Sequence, residues 1–334
     1  MDLFITCKEG FEKILASETA LSRGVVQTKG RGWIISRWQE TPALDLCFAY
    51  HILENPLTVS AASLNSFTDK LADLFLTHIK DMRIDGPWGF EFSSSGNEQL
   101  IHRAKTVEKG WLEKISKKVS RVAKLSKKGV PHSPQLSEGF FVHFTDFDQA
   151  FVSFKALSLG QQRMQMDPQA PSRSYLKLEE AFRIFGHEPK ENETVVDLGA
   201  APGGWSFSAL KRGALVTAVD NGPLKGVVKS HPNMTHLQED ALTYRTHQPQ
   251  PVDWLICDIL EQPDIVLELI HKWVSQKWCR YFIVNFKIGR TDPIVILKKL
   301  KHPQKGLPPH CKSLSIRQLY HNREEITVLG ETKE

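Results

Sequence analysis

Alternation of apolar and polar positions divides the first 62 residues into short strands and helices. Four apolar runs predict strands and two stretches with helical periodicity predict helices: residues 3–7, 25–27, 33–37 and 57–60 for the strands, and residues 11–21 and 43–52 for the helices. This βαββαβ order is typical of a small ferredoxin-like α+β domain. Its carboxylates and His51 are isolated in the sequence, so we expect a scaffold role.

Residues 63–160 have the pattern of a second α+β domain built around one long amphipathic helix. One further helix and three strands are predicted around it, at residues 67–79 for the helix and at 88–92, 140–144 and 150–155 for the strands. The long helix lies within residues 101–130. Its apolar positions at helical spacing should face inward: Val107, Trp111, Leu112, Ile115 and Val119.

Residues 161–334 follow the pattern of a doubly wound α/β domain. The polar, proline-marked stretch at residues 158–172 has no periodicity, which makes it the predicted boundary before this domain. An apolar run at residues 195–198 ends in a glycine-rich turn, and residues 205–212 predict the helix behind it. Five further strands are predicted, at residues 215–220, 236–240, 252–258, 282–287 and 323–328.

The glycine-rich turn at residues 199–204 indicates a cofactor loop, because glycine lets the backbone turn sharply and a ligand lie against it. A dinucleotide site normally reads Gly-x-Gly-x-x-Gly, but here the spacing is longer and Pro202 removes an amide that would face a pyrophosphate. Asp220 and Asp240 follow the next two strands, where they can accept hydrogen bonds from ribose hydroxyls and an adenine amino group. The pattern favours a site for S-adenosylmethionine. The alternative is that these aspartates only cap the helices that follow the strands.

Composition changes this picture little. The chain has 334 residues, 41% of them hydrophobic and 24% charged, which is typical of a globular protein with two or three domains. No apolar stretch approaches the roughly 20 residues that span a bilayer, and the first residues lack a basic segment followed by a long apolar one. We therefore expect a cytoplasmic protein with no membrane partner. A monomer is compatible with the sequence.

The five cysteines argue against a disulfide framework and a zinc site. They are odd in number, scattered along the chain and without a Cys-x-x-Cys pair: Cys7, Cys47, Cys257, Cys279 and Cys311. We expect reduced, mostly buried thiols and no metal. Cys311 adjoins His310 in a segment with a loop-like pattern.

Positive charge is concentrated in the long amphipathic helix of the second domain. Residues 101–130 carry a net charge of +8, whereas the whole chain carries +5. Such clustering is the electrostatic signature of phosphate binding, the alternative being a solvated helix face. The candidate RNA-binding residues are Arg103, Lys105, Lys117, Lys118, Arg121 and Lys124.

Two segments resemble the FtsJ-type ribose 2′-O-methyltransferases: residues 171–180, Pro-Ser-Arg-Ser-Tyr-Leu-Lys-Leu-Glu-Glu, and residues 197–205, Asp-Leu-Gly-Ala-Ala-Pro-Gly-Gly-Trp. Residues 218–223 and 317–325 are similar to a bacterial branch of that family that methylates large-subunit ribosomal RNA. The resemblance is strong in the catalytic half and diffuse before it. Ala201 departs from the cysteine that the family commonly carries, but a backbone turn needs only a small side chain there.

This resemblance implies a Rossmann-like S-adenosylmethionine-dependent methyltransferase domain with a Lys-Asp-Lys-Glu tetrad. Its members would be Lys177, Asp258, Lys287 and Glu324, with Lys287 as the base, the two acids orienting it and Lys177 positioning the nucleotide. The free pKa of lysine is about 10.4. A second lysine, burial and the sulfonium charge of the cofactor favour the neutral amine, while the two carboxylates oppose it. The sequence leaves that balance open.

The resemblance also implies the remaining contacts and the substrate. The expected cofactor-binding residues are Ser174, Gly199, Ala201, Pro202, Gly203, Gly204, Trp205, Asp220, Asp240 and Asp258. The implied substrate is a cytidine of bacterial 23S ribosomal RNA, free or in an assembling large subunit. Residues 63–160 are similar in layout and charge to the THUMP modules of RNA-modifying enzymes.

Other methyl acceptors lack their usual groups. Exocyclic-amine methylation commonly uses an Asp/Asn-Pro-Pro-Tyr/Phe motif after the fourth strand, where this chain reads Asp-Ile-Leu-Glu at residues 258–261. Cytosine C5 methylation needs a nucleophilic cysteine, and Cys257 should be buried because neighbouring strand residues point to opposite faces. An RNA-binding ribosome assembly factor that keeps the fold without turnover is the alternative function.

Overall fold

The computed structural model describes residues 1–39, 44–133, 135–246, 250–289 and 291–333. Contacts divide the chain into two compact units, Met1–Gly160 and Gln161–Glu334. The division falls within the polar stretch at residues 158–172. Among the described residues, no helix has the length and apolar composition needed to cross a bilayer.

The first unit is a mixed α+β structure. Its strands are β1 (Asp2–Cys7), β2 (Val25–Gly30), β3 (Trp33–Arg37), β4 (Ala49–Glu54), β5 (Leu57–Ser60), β6 (Trp88–Ser94), β7 (Ser126–Lys128), β8 (Ser137–Phe144) and β9 (Gln149–Ser158). Its helices are α1 (Glu12–Leu21), α2 (Leu64–Ile79), α3 (Glu98–Lys118) and α4 (Ser120–Lys124). The described strands form one sheet in the order β2-β3-β1-β4-β9-β8-β6-β7, and β5 also pairs with β9.

The helix predicted at residues 43–52 is wrong for residues 44–52, whereas residue 43 lies outside the described residues. Residues 49–54 instead form β4, which pairs with β1 on one side and β9 on the other. Two backbone amides just before it, those of Cys47 and Phe48, donate to the buried Glu18 carboxylate at 2.7 and 3.0 Å. Pairing with two strands overrides the local helical pattern.

The sheet continues across residue 62. Strands β4 and β5 lie before that residue and both pair with β9, which lies after it. The separation of residues 1–62 from 63–160, and their ferredoxin-like and THUMP-like assignments, therefore stay predictions.

Helix α3 has the predicted amphipathic packing. The Asn97 side chain accepts a hydrogen bond from the Leu100 amide at 3.0 Å and caps its first turn. Val107, Trp111 and Ile115 are fully buried against the sheet. The predicted inward positions Leu112 and Val119 are partly buried and pack on the same core. Helices α3 and α4, residues 98–124, are together called the basic helix below.

The second unit has a doubly wound α/β sheet. Its strands are β10 (Thr194–Leu198), β11 (Leu215–Val219), β12 (Met234–Leu237), β13 (Val252–Cys257), β14 (Cys279–Lys287), β15 (Cys311–Arg317) and β16 (Glu325–Thr332). Its α-helices are α5 (Tyr175–Phe185), α6 (Gly204–Leu210), α7 (Pro263–Ser275) and α8 (Pro293–Leu300), and two short 3-10 helices span Gly226–Ser230 and Pro308–His310.

The order of the described strands is β12-β11-β10-β13-β14-β16-β15. Strands β10 to β14 are mutually parallel, while β16 is antiparallel to both of its neighbours. The chain progresses outward in one direction from β10 and then in the other, so the order switches between β10 and β13. Ligands of open α/β sheets bind at the carboxyl ends of the strands beside such a switch. The predicted Rossmann-like fold class of this unit is confirmed.

Candidate active site

The glycine-rich loop after β10 depends on its glycines. Gly199 and Gly203 have φ angles of 75° and 111°, a region that favours glycine. A Cβ on Gly204 would lie 2.3 Å from the hydroxyl oxygens of both Ser172 and Ser174. A side chain at position 204 would therefore force both hydroxyls to move and would crowd the Tyr175 amide.

Two of the predicted cofactor residues fasten this loop. The Asp220 carboxylate, which follows β11, accepts hydrogen bonds from the amides of Ala201 at 2.9 Å and Gly222 at 2.6 Å. The indole N–H of the buried Trp205 donates to the Ser174 carbonyl at 3.1 Å. Hydrogen bonds thus connect the loop with the acid after the second strand and with Ser174, directly before α5.

Asp240, unlike Asp220, has no hydrogen bond to the cofactor loop within the described structure. It is exposed, it lies three residues beyond the end of β12, and its carboxylate accepts a hydrogen bond from the Leu242 amide at 2.9 Å. Its assigned contact with the cofactor stays a prediction.

Asp197, at the carboxyl end of β10, was quoted in the sequence motif but given no role. It is 1% exposed, and its Oδ2 accepts a hydrogen bond from the Ser206 hydroxyl at 2.6 Å. Within the described part of the chain its Oδ1 is buried without a hydrogen-bond partner. Burial is the main reason why the pKa of Asp197 rises to about 7, and the charges of Asp258 and Asp220 add to the rise.

Four charged side chains converge at the same edge of the sheet, each from a different element. Lys177 lies on α5, Asp258 follows β13, Lys287 ends β14 and Glu325 begins β16. Their side chains are only 14 to 20% exposed. We call these four residues the tetrad.

Each lysine of the tetrad contacts both carboxylates. Lys177 Nζ lies 2.7 Å from Glu325 Oε2 and 3.4 Å from Asp258 Oδ2. Lys287 Nζ lies 2.7 Å from Glu325 Oε1 and also donates to Asp258 Oδ1. Two positive and two negative groups therefore form a closed ring of ion pairs, in which three of the four contacts are also hydrogen bonds.

The prediction that Glu324 is the acid of this group is wrong in the structure, because Glu325 occupies that place. Glu325 lies directly opposite Lys287 in the β14–β16 ladder. Successive strand residues point to opposite faces, so only one of two neighbouring glutamates can face both lysines. Glu324 is exposed, its carbonyl accepts from the Ile288 amide at 2.9 Å, and its carboxylate lies over Gly289.

Charge pairing decides the protonation of the tetrad. Burial opposes the charged form of Lys287, but the charges of Asp258 and Glu325 and their hydrogen bonds raise its pKa above the ordinary value. Burial likewise opposes ionisation of Glu325, yet Lys177 and Lys287 lower its pKa to about 2. The balance left open by the sequence is thus settled in this arrangement, where Lys287 carries its proton at neutral pH.

A cavity of about 860 Å³ opens beside the tetrad. Its lining includes the side chains of Lys287, Arg323, Glu324 and Glu325, together with the first residues of α7. Its volume lies within the range of small-molecule and nucleotide sites. A smaller cavity of about 260 Å³, lined by Thr194 and Leu215 where β10 and β11 begin, contains none of the tetrad residues.

The cysteines of the second unit are not suited to nucleophilic chemistry. Cys257 is 1% exposed, and burial raises the pKa of its thiol to about 12. Cys311 begins strand β15 instead of lying in a loop, because its segment pairs with β16, and burial raises its pKa to about 12. All five cysteines are buried and unbridged. Among the described residues, no cluster of three or more His, Cys, Asp or Glu side chains could hold a metal ion.

Ion pairs neutralise part of the basic helix. Lys114, Lys118 and Arg121 contact Asp69, Asp73 and Asp85 respectively. The guanidinium of Arg103 lies over the rings of Phe67 and Phe147, at 5.5 and 5.7 Å from their centroids. Of the six predicted RNA-binding residues, three are exposed and have no ion pair with any described residue: Lys105, Lys117 and Lys124.

Comparison with known proteins places this chain in a family. A family model described as FtsJ-like methyltransferase matches residues 170–294. The ribosomal RNA large subunit methyltransferase M of Xanthomonas oryzae pv. oryzae (strain PXO99A) is 31% identical over 357 aligned positions, which cover 98% of this chain and 98% of that protein. The chain belongs to this family.

Other members of the methyltransferase M family are more similar over a shorter region. The proteins of Laribacter hongkongensis and Thauera aminoaromatica are 41% and 40% identical, and these matches span about half of this chain and 50% and 48% of the relatives. Among solved structures, the fibrillarin pre-rRNA processing protein of Methanococcus jannaschii is 17% identical, covers 58% of this chain and 82% of its own, and has a TM-score of 0.38.

Membership of the methyltransferase M family confirms S-adenosylmethionine as the cofactor, and the residues present fit it. The loop holds glycines where a side chain would clash. Asp220, an acid of the kind that accepts hydrogen bonds from ribose hydroxyls, is hydrogen-bonded to the Ala201 amide of this loop. The buried Asp197 Oδ1 has no partner among the described residues, and the cofactor carries an ammonium group that could satisfy such an oxygen.

Proposed function

We propose that the protein transfers a methyl group from S-adenosylmethionine to the ribose 2′-hydroxyl of a cytidine in 23S ribosomal RNA. The observation that carries this proposal is the tetrad, in which two lysines and two carboxylates converge beside a nucleotide-sized cavity at the cofactor edge of the sheet. The names of the relatives support ribosomal RNA as the substrate.

Lys287 is the proposed base. Lys287 is one of the residues that line the cavity, whereas Lys177 is not. Asp258 and Glu325 fix the direction of the amine, and Lys177 shares both carboxylates, so its charge limits how strongly they hold the Lys287 proton. We assign to Lys177 the positioning of the nucleotide.

Proton transfer requires the Lys287 amine to be neutral, against the raised pKa in the resting arrangement. S-adenosylmethionine, when bound, supplies an electrophilic methyl group and a positive sulfonium charge. A positive charge near Nζ lowers the pKa of an amine, as does the exclusion of water by an RNA nucleotide. With the cofactor bound, the neutral Lys287 amine would accept the proton of the ribose hydroxyl, whose oxygen would be the methyl acceptor.

The proposed cofactor site keeps the sequence-predicted residues and gains one. It comprises Ser174, Gly199, Ala201, Pro202, Gly203, Gly204, Trp205, Asp220, Asp240 and Asp258, with Asp197 added. No metal is invoked, since a lysine base and a sulfonium donor supply the proton acceptor and the electrophile.

The first unit is proposed to hold RNA through the basic helix. Lys105, Lys117 and Lys124 are available to phosphates, whereas Lys118 and Arg121 must first leave their aspartates. Arg103 lies in a half-buried position over two aromatic rings, which favours a structural role. We further propose that the protein acts in the cytoplasm as a monomer.

Transfer of a tritiated methyl group to 23S ribosomal RNA tests the function. We expect incorporation by the intact protein and a rate about 10² to 10⁴-fold lower in Lys287→Met. Alkaline hydrolysis then locates the label, because a methylated 2′-oxygen cannot attack the neighbouring phosphodiester bond and leaves an alkali-stable dinucleotide containing cytidine. Label recovered in alkali-labile mononucleotides would contradict ribose methylation, and absence of transfer would favour a binding role.

A further inference from the structure

Three buried polar residues form a hydrogen-bonded chain that ends on Asp258. Asn322 Nδ2 lies 3.0 Å from Thr327 Oγ1, Thr327 Oγ1 lies 3.0 Å from Asn285 Oδ1, and Asn285 Nδ2 lies 2.8 Å from Asp258 Oδ1. All three side chains are 0% exposed, and none of them lines the cavity beside the tetrad. We call Asn285, Thr327 and Asn322 the relay.

The direction of every bond in the relay is fixed by chemistry. The Asp258 carboxylate faces two lysines and can only accept, so Asn285 must present its amide N–H to it. The carbonyl of Asn285 is then left to accept from the Thr327 hydroxyl. That hydroxyl spends its single proton in this bond, so its oxygen accepts from the Asn322 amide.

Sheet register places the relay directly behind the tetrad. Asn285 and Lys287 are two residues apart on β14 and so face the same side of the sheet. Their partners on β16 are Thr327 and Glu325 respectively. Two neighbouring cross-strand pairs thus have different roles. The Lys287–Glu325 pair carries the amine and one carboxylate, and the Asn285–Thr327 pair carries the amide that reaches the other carboxylate, Asp258.

We propose that Asn285, oriented by Thr327 and Asn322, is a positioning residue that holds the Asp258 carboxylate and takes up part of its negative charge, easing proton release from Lys287. This inference rests on the proposed ribose methylation. Asp258 Oδ1 receives both Asn285 Nδ2 and Lys287 Nζ. A carboxylate oxygen that is shared between two donors attracts each of them less strongly, so loss of the amide would leave more of its charge to the ammonium group.

The surrounding charges are unaltered by changes in the relay. The charged groups that act on the Asp258–Lys287 pair from neighbouring elements, or line the cavity beside it, are Lys177, Asp197, Glu325, Arg323, Glu324, Glu261 and Asp264. Because the relay residues themselves do not titrate near neutral pH, a shift in the pH dependence of a relay variant reports a changed interaction within the tetrad.

The decisive variant is Asn285→Leu, which keeps a similar shape and removes the amide. We expect kcat to fall about 10- to 100-fold, the loss typical of one hydrogen bond to a charged group. We also expect the acidic limb of the pH–rate profile to move to higher pH by about one unit. The KM for S-adenosylmethionine should remain that of the wild type.

Thr327 supplies a graded test with its own rescue. Thr327→Val removes the hydroxyl that orients Asn285 and should shift kcat and the acidic limb in the same direction as Asn285→Leu, by less. Thr327→Ser retains the hydroxyl and should restore both. Thr194→Val is the matched control, since the Thr194 hydroxyl donates to Asp253 at 3.0 Å at the start of β10, away from the tetrad.

Two results would overturn the inference. One is an unshifted acidic limb in Asn285→Leu. The other is a loss of kcat in Thr194→Val as large as that in Thr327→Val, which would reveal a general cost of removing a hydrogen-bonded threonine hydroxyl from the sheet.

A titration without RNA separates the relay from the proposed function. In protein labelled with carbon-13 at lysine Cε, the Lys287 signal is identified by its absence in Lys287→Arg, and its midpoint should be higher in Asn285→Leu than in the wild type. An unchanged midpoint would refute the relay even if methyl transfer occurs. Absence of transfer by the wild type would instead refute the proposed function, and the titration would still decide the relay.

Discussion

The tetrad and the basic helix both bring lysines to aspartate or glutamate, but they differ in burial. Tetrad side chains are 14 to 20% exposed, whereas the lysines and arginine of the basic helix that form ion pairs with acids of α2 and of the segment after it are 40 to 72% exposed. Exposed pairs contribute about 0 to 1 kcal/mol each because water and salt screen them. Buried pairs shift pKa values and leave an uncompensated charge when one partner is lost.

This difference assigns the two clusters different tasks. The tetrad binds its own charges in a closed ring, so it is suited to controlling one proton. The basic helix holds its pairs weakly, so phosphate groups can compete for the same side chains while neighbouring lysines remain available. In the proposed function, similar residue types serve catalysis in one unit and RNA binding in the other, and the depth of burial distinguishes them.

The largest expected effect is on methyl transfer by Lys287→Met. Removal of the amine with an unbranched chain of similar length should lower kcat by about 10² to 10⁴-fold, the usual contribution of a general base. Calorimetry should show unchanged affinity for S-adenosylmethionine. The control is Lys298→Met, which alters an exposed lysine on α8. Wild-type turnover by Lys287→Met, with loss of turnover in Lys177→Met, would show that the base is the other lysine.

Paired changes at positions 324 and 325 test the corrected tetrad. Glu325→Gln should lose most methyl transfer, while Glu324→Gln should keep transfer near wild type. The depressed pKa of Glu325 also gives stability, which is present above its unfolded pKa near 4.5 and is lost as pH falls toward about 2. Denaturant titrations across this pH range should show that the wild type loses stability as the pH falls and that Glu325→Gln loses less. A greater loss of methyl transfer in Glu324→Gln than in Glu325→Gln would restore Glu324 as the acid of the tetrad.

Asp220→Ala should weaken binding of S-adenosylmethionine by about 1 to 3 kcal/mol, because ribose hydroxyls would lose their acceptor and the loop amides of Ala201 and Gly222 would lose theirs. Calorimetry measures the change directly. Asp240→Ala is the informative companion, since its exposed carboxylate should contribute less. Equal losses of affinity in the two variants would show that Asp220 and Asp240 contribute equally to cofactor binding.

The smallest expected effect is on the salt dependence of RNA binding, and it distinguishes paired from unpaired charges on the basic helix. Replacing Lys105, Lys117 and Lys124 by alanine should flatten the dependence of RNA affinity on salt by roughly 0.7 to 0.9 per lost phosphate contact. Replacing Lys114, Lys118 and Arg121 is the matched triple with the same change of charge, and should flatten it less because those groups already have aspartate partners. An unchanged slope in the first triple would leave the basic helix as a solvated face.

Much of the second unit could be predicted because each parallel strand is a short apolar run followed by a functional group. The runs before Asp220, Asp258 and Lys287 were located in this way, and the carboxyl ends of parallel strands meet at one edge. The choice between Glu324 and Glu325 could not be made, since it depends on a register of one residue between β14 and β16 that local pattern does not specify.

Failures in the first unit have the same origin in long-range pairing. Residues 49–54 become a strand because β1 and β9 flank them, which lie about 45 and 100 residues away along the chain. The inward face of α3 was predicted from its own periodicity. Its ion pairs with Asp69 and Asp85 were not, because the sequence does not reveal which acids come to lie beside it.

The place of β16 in the sheet has a consequence for biosynthesis. This strand follows β15 in the chain but lies between β14 and β15, so β15 has no partner in the sheet until β16 has been made. Five parallel strands can assemble on the nascent polypeptide before residue 325 is added, and the cofactor loop is complete with them. Translation arrested before that residue would leave a product that keeps this loop yet lacks the glutamate shared by both lysines.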